Sequence, residues 1–240
     1  MKIIEDITLA LTMNSRIEGP LKLEKGLFRI FLSAPEDPLP QFMGPAPELP
    51  GRGKDHPRYA RLVYAFARFY KPDIIVEVGT NAGGTAVGSA KAIVENGKGR
   101  LICIDNGEGR PRVFPDITRE NIIAAGLKDP DFDLICEDSQ VALSKIARSL
   151  KQSVGIYLVD AAHTFETAFA DIKNGLPMIK PGGFVLVHDV DSRLDLGGES
   201  SGEHSRPVRD AFHEIVREYN FNWCILKFIR KHLGIIKVNN

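Results

Sequence analysis

From Asp73 onward, short apolar runs without polar alternation recur between segments of helical period, and this rhythm restricts the chain to very few folds. The runs are IIVEVG, RLICID, FDLICE, GIYLVD and GGFVLVHDV. Between them stand GTAVGSAKAIVEN, TRENIIAAGL, SQVALSKIARSL and TFETAFADIKNGLPMI. A strand that lacks polar residues at every second position must be covered on both faces, which is the condition inside a parallel sheet flanked by helices. The pattern therefore predicts a doubly wound α/β sheet. After a further helix, RPVRDAFHEIVREY, two closing runs, FNWCILKFI and LGIIKVN, are joined by the short connection RKH. A link of that length permits antiparallel pairing but no parallel crossover. The expectation is a seven-stranded, mostly parallel sheet with an antiparallel closing pair at its edge.

Ahead of this region, residues 34–57 are too rich in Pro and Gly for a helix or strand to persist, and read as a loop or lid. The expected division is an N-terminal extension with this lid over 1–57 and a main domain over 58–240. The segment PRYARLVYAFARFY places Tyr59, Leu62, Val63, Phe66 and Tyr70 near one face of a helix leading into that domain. KGLFRIFLS, earlier, is a short helix or strand, and its LFRIFL is a candidate contact between copies in a homo-oligomer. Basic and acidic residues balance at 31 each, so no bulk polyanion-binding surface and no nucleic-acid partner are expected. No apolar run approaches a membrane span and the first twenty residues lack a sustained apolar core, so no membrane partner and a cytoplasmic location are expected. Cys103, Cys136 and Cys224 are odd in number and widely spaced, and read as reduced core residues.

The stretch VEVGTNAGG ends the first main-domain strand and opens a helix. Gly79, with Gly83 and Gly84, allows a tight turn and close approach of a ligand to the backbone. The spacing is GxxxGG rather than the dinucleotide fingerprint, and Glu77 just before it would oppose a pyrophosphate but attract a cation. Asp105 ends the second strand 21 residues after Gly84, at the place of an acid that bonds a ribose hydroxyl. Such a turn asks for a nucleoside that carries a positive group in place of phosphates.

At these residues the chain resembles the class I S-adenosylmethionine-dependent methyltransferases, over roughly residues 70–240. The family's acid-x-Gly-x-x-x-Gly turn is matched by Glu77, Gly79 and Gly83, and its second-strand acid by Asp105. The acid-plus-small pair after the third strand is matched by Asp138 and Ser139, which the family uses near the adenine. Asp160 ends the fourth strand, and LPMIKPGGFVLVHD matches the approach to the fifth. The resemblance implies S-adenosylmethionine as cofactor, a Rossmann-like methyltransferase fold, and a cofactor surface of Glu77, Gly79, Thr80, Asn81, Gly83, Gly84, Thr85, Asp105, Asn106, Asp138, Ser139 and Asp160. Taken singly, Asp105 and Asp138 also suit helix N-caps, and Glu77 also suits a pairing with a basic residue of the N-terminal extension.

Two of the strand-like runs end in acid and histidine together: Asp160 with His163, and His188 with Asp189. Ligands of doubly wound sheets bind beyond the carboxyl ends of the strands, so these residues should converge on one cleft. The arrangement resembles the metal-dependent small-molecule O-methyltransferases, of the catechol type and those acting on antibiotic and macrolide-sugar hydroxyls. That resemblance implies a divalent metal at Asp160, His188 and Asp189, with Asp160 and His163 catalytic and His163 a general base or additional ligand. His188 stands where the catechol type has an oxygen donor. Magnesium prefers oxygen, whereas imidazole suits manganese, iron or zinc, so the cofactor set is S-adenosylmethionine with Mg, Mn or Fe. The implied substrate is a small molecule with a hydroxyl, a sugar ahead of a phenol. The glycine-containing loop DSRLDLGGESSGEHSRP is a candidate lid, and Arg193, Arg206 and Arg209 are candidate contacts to an anionic substrate. Two other classes fit the same architecture: a nicotinamide-dependent oxidoreductase, which Glu77 and the glycine spacing disfavour, and a non-catalytic cofactor-binding domain.

Overall fold

In the computed structural model the described residues are 17–34, 56–108, 113–190, 206–227 and 232–239. Both candidate lids, the Pro-rich segment beyond residue 34 up to residue 55 and the loop at 191–205 with Arg193, lie outside them. The strands are β1 (Ile17–Glu18), β2 (Ile74–Val78), β3 (Arg100–Asp105), β4 (Phe132–Cys136), β5 (Val154–Val159), β6 (Ile179–Val187), β7 (Asn222–Leu226) and β8 (Leu233–Lys237). The helices are α1 (Lys25–Ser33), α2 (His56–Tyr70), α3 (Gly84–Asn96), α4 (Thr118–Ala124), α5 (Ser139–Ile146), α6 (Phe165–Gly175) and α7 (Pro207–Tyr219). They build one sheet in the order β1-β7-β8-β6-β5-β2-β3-β4. Strands β6, β5, β2, β3 and β4 are parallel, and β8 and β7 are antiparallel to their neighbours.

Alternation along the parallel strands divides the core in two. Ile75, Leu101, Ile156, Leu158 and Leu186 pack with Leu62 and Phe66 of α2 and Ala90 of α3 on one face. Val76, Val78, Ile104, Tyr157 and Val187 pack with Leu143 of α5, Ile172 of α6 and Phe212 of α7 on the other. Glu77, one residue from Val76 and Val78, is thereby turned toward α2 and α3 and away from α5 to α7.

The sheet has eight strands where seven were expected. The additional one is β1, two residues from SRIEGP that pair antiparallel with β7; a strand so short leaves no periodic signal. It also means that β7 is not the edge. KGLFRIFLS forms α1, with Leu27, Phe28 and Phe31 buried in the chain's own core and Leu32 exposed, 50%. The Arg61 guanidinium Nη2 donates to the carbonyls of Phe31 and Ala34, 2.8 Å each, at the α1 C-terminus. Arg209 is bonded to Glu18 at 2.6 Å, which ties α7 to β1. Cys103 and Cys224 are core residues as expected, but Cys136, at the end of β4, is exposed. Among the described residues, no helix is long and apolar enough to cross a membrane.

Candidate functional site

The strand order reverses between β2 and β5, and the loops leaving these two neighbours open outward from the same point of the sheet. After β2 the chain turns through Gly79 to Gly83 into α3. Gly79 has φ +80°, and a Cβ there would stand 2.0 Å from the Asp160 carbonyl oxygen. Its glycine is thus required by the backbone of the neighbouring strand end: the Asp160 amide donates to the Val78 carbonyl at 3.0 Å, and the two loops run in contact. Gly83 also has a positive φ, +82°, and caps α3 with Gly84 as its first residue.

The turn is held from two sides. Asp105, at the end of β3, accepts from the Asn81 amide at 2.8 Å and from the Gly107 amide at 2.8 Å. From α4, the Thr118 hydroxyl donates to the Asn81 carbonyl, and Asn121 Nδ2 donates to the Ala82 carbonyl at 2.7 Å. Thr118 and Asn121 are buried polar residues that the sequence reading left out. Their signal was present: two amide- or hydroxyl-bearing residues three apart on a helix whose other inward positions are apolar. Asn106 forms a local turn with Glu108, its Oδ1 accepting from the Glu108 amide at 2.9 Å.

Glu77 is 1% exposed and, among the described residues, sees no basic side chain. One carboxyl oxygen accepts from the Thr85 hydroxyl of α3; the other, Oε2, is buried without a partner. Burial pushes its pKa up to about 8 against the Thr85 bond, with the charges of Asp160 and Asp105 adding to the rise. Among the described residues, no base of the N-terminal extension pairs with Glu77. An orphaned acceptor behind a glycine turn suits a ligand that brings a cationic or hydrogen-bond-donating group. Thr80 lies in the same turn, buried, its hydroxyl 3.5 Å from the Glu77 carbonyl.

This acid also makes stability depend on pH. Because the folded pKa lies above the ordinary 4.5, the folded state holds a proton that the unfolded chain has released, so stability present below pH 4.5 is lost as pH rises toward 8. Glu77→Gln is expected to remove on the order of 2–4 kcal/mol of this decline. Urea denaturation of the ligand-free protein at several pH values between 5 and 8 checks it; equal slopes for the two proteins would refute it.

Asp138 caps α5, accepting from the amides of Gln140 and Val141 at 3.0 and 3.2 Å. The Ser139 hydroxyl donates to Asp171 of α6 at 2.7 Å. The pair is thus fixed in place by its own helix start and by a buried carboxylate, and Asp171 is a supporting residue that the sequence reading did not name.

Past β5 and β6 the acids and histidines converge. His163 Nε2 lies 2.8 Å from Asp189 Oδ2 and 3.9 Å from Asp160 Oδ1. His188 Nδ1 lies 3.1 Å from Asp160 Oδ1. Asp189 is 2% exposed and left-handed, φ +59°, a conformation that a non-glycine residue adopts at some cost. Burial acts to raise the Asp160 pKa, but His188 and His163 outweigh it and hold the carboxyl below the usual range. Bonds to Asp160 and Asp189 push His163 up to about 10, against its partial burial.

Among the described residues, Asp160, His163 and Asp189 offer ligand atoms that fall within 4.8 Å of one another. The trio read from the sequence had His188 in place of His163. Strand alternation accounts for the difference: His188 continues the face of Leu186, toward α2, and its ring stacks on Tyr59 with centroids 4.2 Å apart and planes at 13°. Two carboxylates and one imidazole within this span suit a divalent cation of the manganese or iron type, and the carboxylates suit magnesium.

Residues 76–190 match the family model described as a methyltransferase domain. A mycobacterial protein named as an O-methyltransferase, from Mycobacterium sp. (strain JLS), is 26% identical over 70% of this chain and 68% of its own length. Among solved structures, the Podospora anserina methyltransferase PaMTH1 with bound S-adenosylhomocysteine superposes with a TM-score of 0.63 at 15% identity, covering 98% of this chain and 96% of that one. The O-methyltransferase TomG from Streptomyces achromogenes, involved in tomaymycin synthesis and solved with S-adenosylmethionine, gives 0.58 at 19% identity over 92% of each chain.

Proposed function

We infer that this chain is an S-adenosylmethionine-dependent methyltransferase of the class I fold, and that it transfers the methyl group to a hydroxyl of a small molecule, a sugar or a phenol, beside a divalent cation. The observation that carries the reading is the gathering of Asp160, His163 and Asp189 at the strand ends next to the Glu77 and Gly79 turn. Glu77, the 79–85 turn, Asp105 with Asn106, and Asp138 with Ser139 are the surface proposed for the cofactor, with Asp160 at the join between cofactor and substrate. The unpartnered Glu77 Oε2 supports this assignment, since a positively charged guest would remove the cost of an isolated buried acceptor.

The reaction is an in-line displacement in which the hydroxyl oxygen bonds the methyl carbon as the carbon–sulfur bond breaks, and the sulfonium charge is lost with the departing thioether. Activation comes with the sulfonium, so the protein's tasks are alignment, which contributes on the order of 7 kcal/mol, and removal of the hydroxyl proton. Asp160 and Asp189 would hold the cation, which when bound lowers the pKa of a neighbouring hydroxyl. His163, the most exposed of the cluster, takes the proton. Its pKa of about 10 reflects the two carboxylates beside it. Once their charge is offset, that support weakens and the imidazole returns toward its ordinary range near neutrality, where it accepts a proton.

A methyl-transfer screen over hydroxylated sugars and phenols, run with Mg, Mn or Fe and again after thorough chelation, tests the reading. Turnover is expected to fall to background on chelation and to return with added cation, while calorimetric binding of S-adenosylhomocysteine changes little. Turnover that survives chelation contradicts the role of the cation. Absence of transfer to every hydroxyl acceptor contradicts the substrate class.

A further inference from the structure

We propose that Tyr59 is a positioning residue for the acid cluster: its ring, laid flat on the His188 imidazole, keeps that imidazole turned toward Asp160. The proposal rests on the functional reading above, but its structural half stands on the chain's own contacts. Tyr59 lies in the first turns of α2 and is 1% exposed, so its ring is held by the core and has no freedom to leave the stack. An imidazole left to itself has a broad, roughly two-fold preference about its outer torsion. The stack, at 4.2 Å and 13°, restricts this rotation. In the orientation observed, Nδ1 stands 3.1 Å from Asp160 Oδ1. An ionised carboxylate only accepts, so Nδ1 carries the hydrogen of this bond. Turning the ring over would bring a carbon to that place and leave Asp160 without this donor.

The tyrosine hydroxyl points the same way. Among the described residues it is buried with no hydrogen-bond partner, a placement that is unfavourable for stability and that phenylalanine would avoid. The ring is therefore the part of the side chain that the stack uses, and the helix that carries it couples the start of the main domain to the ends of β5 and β6.

The test compares Tyr59→Phe, which keeps a flat ring, with Tyr59→Leu, which keeps apolar volume without one. Three readouts are taken: methyl-transfer kcat and KM, the affinity for Mn alone by electron paramagnetic resonance, and the His188 ring-nitrogen signals by NMR with 15N-labelled histidine. Tyr59→Phe is expected to stay within about 3-fold of the parent in kcat and in Mn affinity, with an equal or higher Tm. Tyr59→Leu is expected to lose about 10-fold or more in kcat and in Mn affinity, with the Kd for S-adenosylhomocysteine within about 2-fold. Its Nδ1-protonated His188 signature should be replaced by averaged signals. A Leu variant with a lower Tm but unchanged kcat and unchanged His188 signals overturns the proposal, since the ring then only packs. A Phe variant as damaged as the Leu variant overturns it too, since the hydroxyl then carries the effect. Should the parent protein show no methyl transfer, the functional reading fails, and the NMR comparison still decides the positioning role.

Discussion

Asp160→Ala is expected to lower methyl-transfer kcat by about 10²–10³-fold while leaving a folded protein. The argument separates backbone from side chain. The Asp160 amide donates to Val78 and its carbonyl packs against Gly79, and alanine retains both. What alanine removes is the carboxylate that lies 3.1 Å from His188 and 3.9 Å from His163. Its loss takes away one proposed ligand of the cation and a partner of each histidine. The histidine at 163 should also lose part of the support that raises its pKa, so the deficit cannot be recovered by raising pH alone. Steady-state kinetics at saturating cofactor, with Tm and circular dichroism as folding checks, measure the effect. A kcat within 3-fold of the parent would remove Asp160 from the mechanism.

Gly79→Ala is expected to be the most damaging single change to the fold. Two independent penalties meet at this position: a left-handed φ of +80°, and a Cβ placed 2.0 Å from the Asp160 oxygen and 2.6 Å from the Ala161 nitrogen. The obstacle is backbone just past the end of a central strand, so it does not move aside as a flexible side chain would. The β2 and β5 loops must separate, which breaks the bond from Asp160 to Val78 and opens the sheet where the strand order reverses. A loss above about 4 kcal/mol is expected, against a total that for a domain is about 5–15 kcal/mol. Gly97→Ala is the contrast, since a Cβ there meets nothing within 4 Å and only its φ of +67° opposes the change. Urea denaturation of the two variants should rank them clearly, with Gly79→Ala largely insoluble or unfolded. Equal midpoints would show that the loops are free to part.

Much of this was legible because the informative signals are periodic or punctual. Five apolar runs without alternation fixed the parallel sheet, and GxxxGG with Asp105 at the next strand end fixed the place of the turn. β1 escaped because two residues carry no period, and α1 was left between helix and strand because nine residues of mixed polarity satisfy both templates. In the site, residue types and strand ends could be read, but not directions. Asp160, His163, His188 and Asp189 were all anticipated at one cleft. Which histidine joins the two acids depends on strand alternation continuing one residue past β6, and on the presence of Tyr59 across from it. The Asp138 cap was anticipated as a coexisting role and is present. The α4 clamp on the turn was not: Thr118 and Asn121 stand out as polar residues three apart on an apolar helix face, but their acceptors are the Asn81 and Ala82 carbonyls, which the sequence does not point to.

Glu77 answers a sharper question. A buried acid inside an apolar strand calls for a basic partner, a guest or a proton, and among the described residues its carboxyl meets only the Thr85 hydroxyl. Asp160 and Asp189 differ from it, since two histidines already lie against them. In the ligand-free protein the carboxylates raise the His163 pKa, so the cluster holds a proton on that imidazole. A divalent cation entering the cluster competes with that proton, so its affinity should rise with pH.

That competition gives the most direct measurement of the central claim. Titration of Mn into the protein with S-adenosylhomocysteine present, followed by electron paramagnetic resonance, is expected to show one bound ion per chain in the parent and none in Asp160→Ala at the same concentrations. Equal binding by both, or no binding by the parent across neutral and mildly alkaline pH, would contradict it.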